Sequence, residues 1–221
     1  MNLSTSELSS RKRRSPSFEE ELANSISHGL GLLSAIGFLI VLLLSASRMR
    51  SNHFLVGVSV FGGTMILLYL ASTLYHSLTH QRAKQFFRLL DHSAIFLLIA
   101  GTYTPFAVGV LRGPWGWTLL TIVWILAVIG VALKVVFGTN HSWISIVLYL
   151  LMGWLAVVAV KPIFLLVPLQ GIFLILVGGF FYTSGLVFFA APHRRYAHFI
   201  WHLFVMAGTT CHFFAVLWYA A

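Results

Sequence analysis

The chain has 221 residues, of which 59% are hydrophobic and 9% charged, with a formal net charge of +9. Soluble domains carry roughly 25% charged residues, so this composition, with a mean hydropathy of +0.91, excludes a water-soluble globular protein. The basic excess sits in short loops between apolar runs, where it orients helices and meets anionic headgroups rather than nucleic acid.

Residues 1–21 form a polar tail containing "RKRRSPSFEEE", and residues 22–221 form one membrane domain. The first apolar run is about 20 residues, longer than the ~7–15 residues of a signal-peptide core. A signal peptide is therefore not expected, and "SAS" at 45–47 is the one cleavage-like feature.

Crossing a hydrocarbon layer of ~30 Å takes roughly 20 apolar residues. Seven runs meet that length, at 28–47, 54–78, 93–111, 115–136, 143–160, 169–190 and 197–220. They are continuous rather than alternating, which predicts an all-α integral membrane protein, a seven-transmembrane helix bundle, and not a β-barrel. The breaks fall at "SRMRSNH", "THQRAKQFFRLLD", "RGPWG", "GTNHS", "KPIFLLVPLQG" and "APHRRY". In the fifth break, Pro162 and Pro168 interrupt an otherwise apolar stretch.

Loops on the tail side hold ten Lys and Arg residues (Arg11, Lys12, Arg13, Arg14, Arg82, Lys84, Arg88, Lys134, Arg194 and Arg195). The opposite side holds Arg48, Arg50, Arg112 and Lys161. The positive-inside rule then predicts a cytoplasmic N-terminus and an outside C-terminus in a multi-pass protein of the cell (inner) membrane. Gly62-Gly63 and Gly178-Gly179 would let helices approach closely. Pro105 would kink the third span, with Thr102 and Thr104 satisfying the backbone groups it frees. Trp115, Trp117, Trp143 and Trp218 fall near span ends, as an interfacial belt requires. Cys211, the sole cysteine, reads as a packing residue.

Asp91 is the one carboxylate in residues 22–221, and ionisable groups within a membrane face a partner, a cavity or a pathway. It opens the third span, so an interfacial anchor or N-cap is the plainer alternative. The second span ends at the cytoplasmic side with Ser72 and His76 one turn apart. The seventh span starts on that side with His198 and His202, also one turn apart and on one helix face. Two imidazoles at that spacing plus a third from another helix give three protein ligands with a position left open, the arrangement of catalytic zinc. His76, His198 and His202 are the predicted ligands. Asp91 would hold the metal-bound water, act as general base or orient an imidazole, and Ser72 would donate a hydrogen bond to that water or to a substrate carbonyl. A structural cluster of hydrogen-bonded histidines is the rival reading.

The other histidines are assigned less. His53, His80, His141 and His193 read as solvated loop residues. His92 points about 100° away from Asp91 around a helix and is not expected to share its target. His28, at helical spacing from Glu21 and Asn24, lines the rim of the site or caps the first span. His212 lies about 15 Å deeper than His202, as a buried proton or headgroup contact or as a hydrogen-bonded core histidine.

The segments "EELANSISHG", "ASTLYHSL", "LDHSAIFLLIAGTYTPF" and "HFIWHLFVMAGTTCHF" resemble the signatures of bacterial hemolysin III-type proteins, the prokaryotic branch of the progestin and adipoQ receptor family. The resemblance runs from Glu20 to the C-terminus. It implies seven helices, an internal N-terminus and zinc near the cytoplasmic face, held by the residues matching His76, His198 and His202, with Asp91 at metal-bound water. Alkaline ceramidases, in the wider superfamily, share this polar set and hydrolyse a lipid amide. The receptor branch's long cytoplasmic domain is not matched, so receptor signalling does not carry over.

Three functions compete. The first is a zinc-dependent lipid amide or ester hydrolase, with membrane lipids as partners and a lipid or fatty-acyl substrate. The second is a non-enzymatic sensor or regulator of membrane state with structural zinc. The third is cytolysis, implied by the family name. A proton or ion carrier has thin support from a single membrane carboxylate.

Overall fold

The computed structural model describes residues 15–139 and 142–221; the basic cluster Arg11–Arg14 and His141 lie outside them. Helix α1 spans Phe18–Met49 and is opened by a capping box. The Ser17 hydroxyl accepts from the Glu20 backbone while the Glu20 carboxylate accepts from the Ser17 backbone. This pairing satisfies two of the amide donors that every helix start leaves unbonded. The helix therefore begins ten residues before the expected apolar run, and Glu19, Glu20 and Glu21, read as tail, form its first turn.

The remaining elements are α2 (Asn52–Ser77), α3 (Gln81–Val108), α4 (Pro114–Phe137), α5 (Ser142–Gly153), a 3₁₀ turn (Leu155–Ala159), α6 (Val160–Leu166), α7 (Leu169–Phe189) and α8 (Ala197–Tyr219). Among the described residues there is no strand, and seven segments are long and apolar enough to cross a membrane. Six are single helices; the fifth joins α5, the 3₁₀ turn and α6 over Trp143–Leu166. The expected break at "KPIFLLVPLQG" shrinks to Val167 and Pro168. Pro162 falls in the first turn of α6, where its missing N–H breaks no helical bond. Pro168 takes the N-cap of α7.

Helix α3 also starts early. Its N-cap is His80, whose ring accepts from the Ala83 backbone. Asp91 is thus well inside the helix and is not its cap. Thr102 and Thr104 do not serve the backbone group freed by Pro105: each donates to the carbonyl four residues earlier, Leu98 and Ala100. Thr104 also accepts from the Trp124 indole.

Helices α1 to α4 pack side by side in sequence order, α7 packs along α8, and α1 closes against α8, while α5 and α6 touch the others sparsely. This order leaves α2 and α8 the most buried spans. One glycine of each pair works as a contact point. A Cβ on Gly62 would meet Leu39, and one on Gly178 would meet the His212 ring, whereas Gly63 and Gly179 face open space. Because lipid is as apolar as leucine, such close approach and shared hydrogen bonds supply what hydrophobic burial supplies in water. Trp115, Trp117, Trp143 and Trp218 are all exposed at span ends.

Candidate metal centre

The contact between α1 and α8 brings four helices together at the end of the bundle where α1 begins. His76 lies in the last turn of α2, and His198 and His202 lie in the first two turns of α8. The ring centroids are 5.0 Å apart for His76 and His198, 5.2 Å for His76 and His202, and 4.6 Å for His198 and His202. One nitrogen from each ring falls within 4.8 Å of the others. Zinc–imidazole bonds of ~2.1 Å place donors at most about 4.2 Å apart, so a small inward turn of the rings closes the set.

The hydrogen bonds decide which nitrogen is available. His76 Nδ1 lies 2.6 Å from Glu21 Oε2. A carboxylate only accepts, so Nδ1 carries the proton and the Nε2 lone pair is free. His202 Nδ1 lies 3.1 Å from Ser27 Oγ, and that hydroxyl already donates its proton to the Asn24 carbonyl. Ser27 must therefore accept, Nδ1 again carries the proton, and Nε2 again presents a lone pair. Nε2 of His76 and of His198 is buried with no hydrogen-bond partner among the described residues. Fixing the outer nitrogen through a second residue is how proteins set the tautomer of a metal-binding imidazole. The donor set fits a divalent ion of the zinc type.

Glu21 has a second partner, Lys84 Nζ at 2.8 Å from its Oε1. Its neighbour Glu20 is buried, and its Oε1 accepts from the Tyr196 backbone at 2.8 Å. Tyr196 is the left-handed N-cap of α8, with φ 57°. The first turn of α1 thus holds both His76 and the start of the helix bearing His198 and His202. Glu20 and Ser27 are not among the residues expected from sequence, where Glu21 and Asn24 stand out by spacing alone. The signals were present as Ser17 and Glu20 at capping-box spacing and Glu21, Asn24 and His28 on one face.

His28 is more than a rim residue. It is buried, and its ring stacks on His202 with centroids 3.5 Å apart and planes 13° from parallel. The lone pairs of stacked rings lie in parallel planes, and His28 is not among the histidines whose nitrogens converge. Asp91 is buried, with His92 Nδ1 3.4 Å from its Oδ2. The two side chains therefore lie closer together than the expected divergence. Ser72 is wholly buried one turn before His76, and its Oγ has no partner among the described residues.

Asp91, His28, His198 and His202 line one end of a cavity of about 220 Å³. The cavity continues between α3, the fifth span, α7 and α8 along side chains such as Leu98, Phe106, Val157 and Ile172. Its wall is overwhelmingly apolar beyond the histidine end.

Residues 17–213 match the family model described as haemolysin-III related. The chain is 46% identical over 201 residues to Hemolysin-3 of Bacillus cereus, covering 91% of this chain and 92% of the relative. It is 44% identical over 201 residues to the Hemolysin-3 homolog of Bacillus subtilis (strain 168), covering 91% and 94%. A more distant relative is the human Monocyte to macrophage differentiation factor, 24% identical over 211 residues, covering 92% and 86%.

Proposed function

The chain belongs to the haemolysin-III related family of multi-pass membrane proteins, and we propose that it is a zinc-dependent hydrolase of a lipid amide or ester within the cell (inner) membrane. The observation that carries this reading is the cluster of three imidazoles, two of which, His198 and His202, line a mostly apolar cavity together with the Asp91 carboxylate.

His76, His198 and His202 would hold the ion. When bound, zinc supplies Lewis acidity that polarises a carbonyl oxygen and acidifies water. The chain's own residues do the rest. Glu21 and Ser27 hold the ligand imidazoles with Nε2 inward. Asp91, at the same end of the cavity, accepts the proton released by the attacking water and returns it to the leaving amine or alcohol. Ser72, buried beside His76, donates a hydrogen bond into the site. The cavity wall seats the acyl chain and excludes water from it. The excess of Lys and Arg at this end supports a cytoplasmic position for the site and for the N-terminus, with the C-terminus outside.

The test is a panel of lipid amides and esters with zinc-loaded protein in detergent or nanodiscs. Turnover of at least one class, lost in Asp91→Asn, is expected. A zinc-loaded protein inert across the panel would leave a structural role for the ion. That second reading, a membrane-state regulator, is favoured by the way α1, α2 and α8 meet at the histidines.

A further inference from the structure

Deep in the same cavity, whose wall is mostly apolar, His212 and Tyr182 form a polar station. His212 Nδ1 lies 2.8 Å from the Gly208 carbonyl. A carbonyl only accepts, so Nδ1 donates and Nε2 is an acceptor, with no partner among the described residues. The imidazole stacks on the Tyr182 ring, with centroids 5.2 Å apart and planes 11° from parallel. A Cβ on Gly178 would collide with it, so glycine there makes its room.

The tyrosine hydroxyl is fixed in the same sense. Thr209 Oγ1 donates to the Val205 carbonyl and accepts from Tyr69 at 2.9 Å. Its 2.9 Å contact with the Tyr182 hydroxyl must then have Tyr182 as donor. Every N–H and O–H proton of His212, Tyr182 and Thr209 is therefore directed into the protein. The station offers acceptors and no donor.

We propose that His212 Nε2 accepts a hydrogen bond from a hydroxyl carried partway along the substrate's acyl chain, so that the protein prefers hydroxylated chains. An ammonium is excluded by the cost of placing a charge in an apolar wall. A secondary amide would bring a carbonyl that finds no donor there. A hydroxyl supplies the one proton the station lacks. His212 is ten residues beyond His202 on α8, about 15 Å along the helix. An extended chain advances ~1.2 Å per bond, so the hydroxyl sits roughly 12 bonds from the reacting carbonyl. The assignment rests on the reading that an acyl chain fills the cavity with its carbonyl at the histidine end, but it requires no turnover.

The experiment is equilibrium binding to purified protein of octadecanoic acid and of 12-hydroxyoctadecanoic acid, whose hydroxyl lies roughly 13 Å down the extended chain. The wild-type protein is expected to bind the hydroxy acid about fivefold more tightly, the worth of one net hydrogen bond. His212→Phe, which keeps the stacking on Tyr182, is expected to bind the two acids equally, and His212→Gln to retain part of the preference. Equal binding by the wild type overturns the proposal, as does a preference that survives in His212→Phe. The wild-type comparison is decisive even if a variant fails to fold. Lipid hydrolysis without the preference removes the station alone; the preference without hydrolysis in the lipid panel removes the hydrolase reading alone.

Discussion

His202 and His212 stand ten residues apart on α8, both buried, and their Nδ1 atoms are bonded to different kinds of partner. His202 is paired with Ser27, a residue 175 positions away on α1. His212 is paired with the Gly208 carbonyl of its own helix, four residues back. The first bond exists only when the bundle is assembled, so the tautomer of His202 is a product of tertiary structure. The second needs no other helix to supply its acceptor. A histidine held from a distant helix belongs to an assembled site, and one held by its own turn marks a fixed point along a wall. The histidine end of the cavity joins α1, α2, α3 and α8, whereas around His212 the polar contacts of α8 run to α7 and α2 through Tyr182, Thr209 and Tyr69.

Truncating each histidine in turn separates their roles. His202→Ala is expected to abolish zinc binding, from about one ion per chain to none, while His212→Ala keeps the wild-type metal content, both read by elemental analysis of chelator-free protein. Loss in both would show that the two histidines belong to one unit. Asp91→Asn is expected to keep the metal and lower lipid hydrolysis by ~10²–10⁴-fold, the usual contribution of a general base. Unchanged hydrolysis would remove Asp91 from the chemistry. Glu21→Gln and Ser27→Ala each loosen an outer nitrogen, so zinc affinity should fall by ~10–100-fold in competition with a chromophoric chelator. An unchanged affinity would mean that the α1 contacts orient nothing. Ser17→Ala, which removes the capping hydroxyl, should lower stability by ~1 kcal/mol in thermal unfolding, without altering metal content.

The seven spans were legible because continuous apolar runs have few alternatives in a membrane. Convergence of His76, His198 and His202 was legible too, from their i, i+4 spacing and from the odd and even spans that must bring their ends to one side. What escaped was set by local polar chemistry and by side-chain reach. Charged Glu19, Glu20 and Glu21 look like tail, but the Ser17 and Glu20 cap makes them helix and aims Glu21 at His76. Asp91 looked like a helix start because the residues before it are charged, yet His80 begins the helix. Pro162 looks like a breaker, though in the first turn of α6 it costs no hydrogen bond. Ser27 gave no signal in sequence, since its partner is 175 residues away.

We propose that His76, His198 and His202 hold zinc at the end of the bundle where α1 begins, and X-ray absorption at the zinc edge, on protein purified without chelators or added metal, reads that shell. Zinc at about one per chain with three imidazole nitrogens at ~2.0–2.1 Å is the expected result. Protein without zinc, or zinc in a shell lacking three imidazoles, would contradict it and leave the histidines as a hydrogen-bonded packing cluster.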